Sequence, residues 1–326
     1  MSDQHVEASQ SSDTHSVWGR KIFFLNPHES LFPVISDLRA AEYEIYTIEN
    51  YRDVKGMLKR YPDSMLFINV DDQLPHESWL NFVLSLKEDQ AFSNVLVGLL
   101  THGLKKEITD KFMKYADLTG GIINVSESRT LVLHSINSVL KINNAKGRRK
   151  YVRAICVGDT KVQIIITVSG KMYVLKVFDI STVGVACSTK QSMDITSIKP
   201  KTIFRRSTIA LNGVQYAVDL LVLAIKPNKD ENMLVCLFMP GMQASIKQKI
   251  RSYVFSTLQK RLLNSVLDMP KDTQDYTKES ALLSLPDKNE AADTETQVNG
   301  GHLKSTESNA HDAGHLSESG QFTSLF

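Results

Sequence analysis

A chain of 326 residues with 42% hydrophobic content is long enough for two ordinary domains, each with its own core. No run of about 18 apolar residues occurs, which excludes a membrane-spanning helix, and the polar, acidic residues 1–17 lack the apolar core of a secretory signal. The formal net charge of +2 conceals a partition: residues 146–262 carry 20 Lys and Arg against 6 Asp and Glu, whereas residues 263–326 carry 4 against 11. A basic segment of this kind concentrates anions, and its sign alone does not choose among nucleotide, nucleic acid and membrane surface. Three cysteines, Cys156, Cys187 and Cys236, sit in apolar stretches without the even count of a disulfide framework or the spacing of a zinc site, so they read as buried thiols of a reducing, cytoplasmic compartment.

In chain order, residues 1–17 are too polar to offset the entropy of ordering and are predicted as a disordered tail. Residues 18–143 alternate short apolar runs with helical periodicity. Strands are predicted at 21–25, 43–48, 65–70, 95–100 and 121–124, and helices at 31–41, 51–60, 79–86, 105–115 and 129–140. This order resembles a response-regulator receiver domain, of the flavodoxin-like doubly wound α/β class, whose chemistry sits at the carboxyl ends of the strands.

At those ends the residues depart from the receiver pattern. The first strand runs into Asn26, Pro27, His28 and Glu29 rather than adjacent magnesium-binding acids. Asn69 stands where the resemblance places the phosphate-accepting aspartate, and an amide does not accept a phosphoryl group as a carboxylate does. Thr101 matches the family's hydroxyl position, while the stretch 122–126 has no lysine. Asp71 and Asp72 follow closely, so a shift of register would restore an acceptor. The expectation is a pseudo-receiver used for docking.

From residue 151 the pattern changes to β-branched alternation with turns. Strands at 162–168 and 172–178 meet across Ser169, Gly170 and Lys171, strands at 202–210 and 214–225 meet across Asn212-Gly213, and a last strand is predicted at 233–239. Several such strands without intervening helices predict a small antiparallel barrel. Ile246, Ile250, Val254, Leu258 and Leu262 then recur every fourth residue, with Lys247, Lys249, Lys260 and Arg261 off that line, predicting an amphipathic helix that covers the barrel or meets a partner. Residues 144–264 form this second domain, and 265–326 an acidic disordered tail with apolar islands at 281–285 and 321–326 that could dock a partner.

The basic domain opens on Arg148, Arg149 and Arg153, and its middle carries Asp179, Ser181 and Gly184. Arginine presents a planar fork to phosphate oxygens or a guanine edge and can stack on a base. An aspartate accepts from guanine nitrogens, a serine donates to phosphate or accepts from a base, and glycine permits close backbone approach. An Asp-x-Ser turn also stabilises itself through side chain to backbone bonds, a purely structural use of the same residues. The five positions Arg149, Arg153, Asp179, Ser181 and Gly184, in order and spacing, resemble the motif of the PilZ domain, the bacterial receptor module for cyclic di-GMP.

That resemblance implies a non-catalytic receptor for a dianionic dinucleotide, with Arg148 an accessory that bears on whether one or two ligand molecules bind. It also implies that the ligand orders a flexible segment at 145–152, reorienting the domains to control an unidentified downstream protein in motility, adhesion or envelope chemistry. Two other classes stay open: an interaction adaptor that does not need the nucleotide, and a nucleic-acid binder. The latter lacks aromatic residues interleaved with the basic ones, so DNA is not an expected partner. No phosphate loop, Ser/His/Asp grouping or metal-binding histidine pair marks an enzyme or a metal site, and His302, His311 and His315 are irregularly spaced.

Overall fold

The computed structural model describes residues 19–189, 198–228 and 231–278. Both apolar islands, the three tail histidines and residues 1–17 lie outside the described residues. The first domain is a five-stranded parallel sheet of Ile22–Leu25 (β1), Ile45–Ile48 (β2), Met65–Asn69 (β3), Leu96–Thr101 (β4) and Ile122–Asn124 (β5), in the order β2-β1-β3-β4-β5. Five helices connect and follow the strands: Phe32–Ala40 (α1), Val54–Arg60 (α2), His76–Glu88 (α3), Lys106–Tyr115 (α4) and Arg129–Ile142 (α5). Alternate strand residues serve opposite faces. Phe23, Leu25, Leu66 and Ile68 join one core with α2, α3 and α4, while Ile22, Phe24, Met65 and Phe67 join the other with α1 and α5. Burial on both faces is why these strands read as unbroken apolar runs.

The second domain comprises Arg153–Ile155 (β6), Val162–Val168 (β7), Lys171–Ser181 (β8), Gly184–Ser188 (β9), Ile203–Leu211 (β10), Val214–Asn228 (β11) and Glu231–Phe238 (β12). The sheet runs β6-β8-β7-β10-β11-β12-β9, and an additional β8–β9 pairing closes six of its strands into an antiparallel barrel. Closure leaves no open edge among those six. Asn212 and Gly213 take φ of 51° and 84°, the left-handed pair that a tight hairpin demands. The first hairpin turns on Ser169 and Gly170 alone, with Lys171 already paired to Val168. Two short strands escape the sequence reading: β6, three residues long, and β9, whose five residues are all buried. Cys156, Cys187 and Cys236 are free and buried, and burial pushes the Cys156 thiol up to about 11.

The helix Ala244–Leu267 (α6) has 24 residues, giving a length of about 36 Å. That reach lets one helix serve both domains. Ile250, Tyr253 and Val254 complete the barrel core, Leu262 and Val266 enter the α/β core, and Leu258 packs against both. The partner on its second half is the α/β domain. Gln259 on the same helix accepts from the Thr47 amide at 3.0 Å and donates to the Thr47 carbonyl at 2.8 Å, covering the edge strand β2.

Beyond α6 the chain continues across the α/β domain. Tyr276 is 2% exposed and sits against Phe82, and Asn81 donates to the carbonyls of Tyr276 and Lys278, each at 2.9 Å. Residues 265–278, which composition assigns to the acidic tail, are therefore packed. The Tyr276 ring, the carbonyls of Tyr276 and Lys278, and ion pairs of Asp272 with Lys55 and of Lys271 with Asp53 anchor them, a pattern that composition over a window does not register.

Candidate functional site

Two polar edges could carry chemistry. At the carboxyl end of the parallel sheet Asn69 is the last residue of β3, and its amide donates to the Asn26 carbonyl at 2.8 Å. Asp71, in the following turn, accepts from the Thr101 hydroxyl at 2.7 Å and from the His102 amide at 2.6 Å, with the His102 ring at 3.0 Å. Burial, the largest single influence, pushes the Asp71 carboxyl up, while the hydrogen bonds from Thr101 and His102 together hold it below the ordinary aspartate value. Asp72 accepts from Asn26 at 2.8 Å. Among the described residues no three His, Cys, Asp or Glu side chains converge as a metal site. These acceptors are committed to neighbours within the domain.

At the mouth of the barrel the two halves of the arginine and turn motif meet across strands. β6 pairs with β8 so that Arg153 lies opposite Ser181 and Ile155 opposite Asp179. The register brings the Arg153 guanidinium to 3.5 Å from the Asp179 carboxylate, with both side chains partly open to solvent. Arg148 and Arg149 are exposed on the irregular segment before β6. The cleft there is lined by Arg20, Glu44, Arg149, Tyr151 and Arg153, whereas Arg148 stands outside it.

Ser181 and Gly184 have different duties. Ser181 is 2% exposed, and its hydroxyl donates to the Gly184 carbonyl at 3.2 Å and accepts from the Val183 amide at 3.4 Å. It locks the turn between β8 and β9. A Cβ at Gly184 would lie 2.5 Å from the Cys236 carbonyl oxygen, so the close approach that demands glycine is that of β12. Of the motif, Arg149 and Arg153 are exposed and Asp179 is half-buried beside Arg153.

The segment at 145–152, read from sequence as flexible, is tied at both ends. Ala145 is 4% exposed and accepts from the Arg20 amide at 3.0 Å, and the Val152 amide donates to Glu42 at 3.1 Å. Glu42 also accepts from the Thr182 hydroxyl at 2.8 Å and lies 3.6 Å from the Arg251 guanidinium of α6. Sequence reasoning missed Glu42 and Thr182. Nothing in the stretch Ala40, Ala41, Glu42, Tyr43 marks a residue that reaches the other domain.

No family model matches the chain, and no curated protein matches it. Solved structures do. The PilZ domain with cyclic di-GMP of YcgR from Escherichia coli is 12% identical, with 36% of this chain and 97% of that chain covered at a TM-score of 0.32. The MrkH–cyclic di-GMP complex of K. pneumonia is 18% identical, covering 38% of this chain and 55% of that one at a TM-score of 0.29. The Bacillus subtilis inhibitor of motility, MotI/DgrA, is 18% identical over 36% of this chain and 53% of that one, also at 0.29. The chain thus spans about half the length of the last two. At these scores the likeness carries no argument about ligand or partner, and the functional reading rests on the residues themselves.

Proposed function

We propose that residues 144–264 are a PilZ receptor domain for cyclic di-GMP, that the α/β domain is a pseudo-receiver without phosphoryl chemistry, and that the protein acts as a non-catalytic effector. The observation that carries this reading is the β6–β8 register, with Arg153 opposite Ser181 and its guanidinium 3.5 Å from Asp179. A donor-rich limb with Arg149 and Arg153 and an acceptor turn with Asp179 there form the two sides of one exposed edge. Two phosphates and two guanines need both kinds of group: forked donors for the anions and an acceptor for a base edge. Ligand contact with the limb alters the seam between the domains, and that change is the output read by a protein partner. A shift of this kind requires the ligand to bind the two arrangements with different affinity.

Isothermal titration of the full chain with cyclic di-GMP tests it. The wild type is expected to release or absorb heat saturably, and the Arg149→Ala, Arg153→Ala double variant to give none. Equal binding by the double variant would overturn the assignment. A second reading, a barrel that serves as a nucleotide-independent adaptor, draws on the internal duties of Ser181 and Gly184, which the fold explains without a ligand. Absence of heat from the wild type favours it.

A further inference from the structure

Glu42 stands where α1 ends in a left-handed turn. Its φ is 63°, its amide donates to the Arg39 carbonyl at 3.0 Å, and the Tyr43 amide donates to the Leu38 carbonyl at 3.2 Å. This is the helix-terminating position that glycine fills without steric penalty and a glutamate does not. A strained residue of this kind persists where its side chain has a task.

The task is visible in its partners. Oε2 accepts from the amide of Val152, which lies between Arg149 and Arg153, and Oε1 accepts from the hydroxyl of Thr182, which lies between Ser181 and Gly184. One carboxylate from the α/β domain therefore holds both halves of the motif, and Arg251 fixes that carboxylate from α6. The side chain of Glu42 is only 10% exposed, so these contacts are shielded from water and from screening ions. The adjoining cleft has a volume of about 40 Å³, against roughly 300–1,000 Å³ for pockets that take small organic ligands. A cyclic dinucleotide does not fit within that cleft, which Asp179, Ser181 and Gly184 do not line, and would lie along the exposed edge beside it. Its two negative charges would meet Glu42 and Glu44 there as well as Arg20, Lys146, Arg149 and Arg153, so the carboxylates compete with the phosphates for the same cations.

Resting on the receptor reading above, we propose that Glu42 is an internal anionic latch, which holds the two halves of the motif in their ligand-free arrangement until phosphate groups draw the arginine limb away from it. Opening precedes or accompanies binding, and the apparent affinity is reduced by the fraction of molecules that are open. The latch gives the α/β domain a role in setting the ligand threshold.

Glu42→Gly removes the carboxylate and suits the left-handed backbone at the expense of the Arg251 ion pair, and a thermal melt of the variant checks that it folds. Titration of the full-length variant with cyclic di-GMP is expected to show binding roughly tenfold tighter or more, and the ligand-free variant to exchange the Val152 amide hydrogen faster than the wild type. Equal affinity in the two proteins would overturn the latch and leave the receptor reading standing. Weaker binding by the variant would overturn it too, by making Glu42 a support of the bound state. If neither protein binds the nucleotide, the receptor reading falls and the latch falls with it.

Discussion

The two polar edges of this molecule handle charge in opposite ways. At the end of the parallel sheet Asp71 is satisfied by Thr101 and His102, and Asp72 and Asn69 are both bonded to Asn26, all within a single domain. At the mouth of the barrel Arg153 pairs with Asp179 inside the domain, while the Val152 amide of the limb and the Thr182 hydroxyl of the turn are bonded from outside, by Glu42 of the α/β domain. A network closed within one domain converts a perturbation into lost stability, whereas hydrogen bonds made across a seam convert it into an altered domain arrangement. Polar density alone does not separate the two edges; what separates them is whether the bonding partners come from one domain or from two.

The largest expected effect separates scaffold from ligand contact inside the motif. Gly184→Ala places a methyl 2.5 Å from the Cys236 carbonyl, which forces β9 away from β12. A loss of about 1–3 kcal/mol of folding stability is expected, measured by urea unfolding, with Arg153→Ala near wild type in the same assay. A stable Gly184→Ala protein that fails to bind would reverse the assignment and make Gly184 a ligand contact.

Acid should act on the other edge. The Asp71 carboxyl is held below its ordinary value in the fold, so the stability it contributes is fully present above the unfolded value of about 3.9 and is lost as pH falls through the lower folded value. Thermal melts taken between about pH 5 and pH 2 are expected to fall less steeply for Asp71→Asn than for the wild type, with affinity for the nucleotide at neutral pH unchanged. Identical slopes would mean that Asp71 contributes nothing to the acid response, and weakened binding would join the two edges functionally.

Much of the fold is legible because its signals are local. Five apolar runs with helical stretches between them give the parallel sheet, and Asn212-Gly213 gives a hairpin, since those residues permit the backbone a two-residue turn requires. β9 is hidden because all five of its residues are buried and show no alternation, and β6 because three residues beginning at Arg153 form neither an apolar run nor a countable period. The second surface of α6 is hidden for another reason: the stripe from Ile246 to Leu262 shows that a face is apolar and is silent on which core receives it. Within the motif, spacing points to five residues alike. Only the packing separates Ser181 and Gly184, which build the turn, from Arg149 and Arg153, which remain exposed, and Asp179, which stays half-exposed. Glu42 leaves no trace in the sequence, because its contacts with Val152 and Thr182 span 110 and 140 positions of chain.

The smallest expected effect concerns Arg148. It is exposed and lies outside the cleft that Arg149 and Arg153 line, so it acts on an incoming dianion through solvent. A charge pair at such range in water is worth at most about 1 kcal/mol, and salt screens it over a length of about 8 Å at physiological ionic strength. Arg148→Ala is therefore expected to weaken cyclic di-GMP binding by only about two- to fivefold at low salt, with the difference from wild type vanishing at about 0.5 M salt. The defect of Arg153→Ala, which removes a guanidinium from the cleft itself, should persist at that ionic strength. If the Arg148→Ala deficit also survives high salt, Arg148 touches the ligand directly and belongs with Arg149 and Arg153.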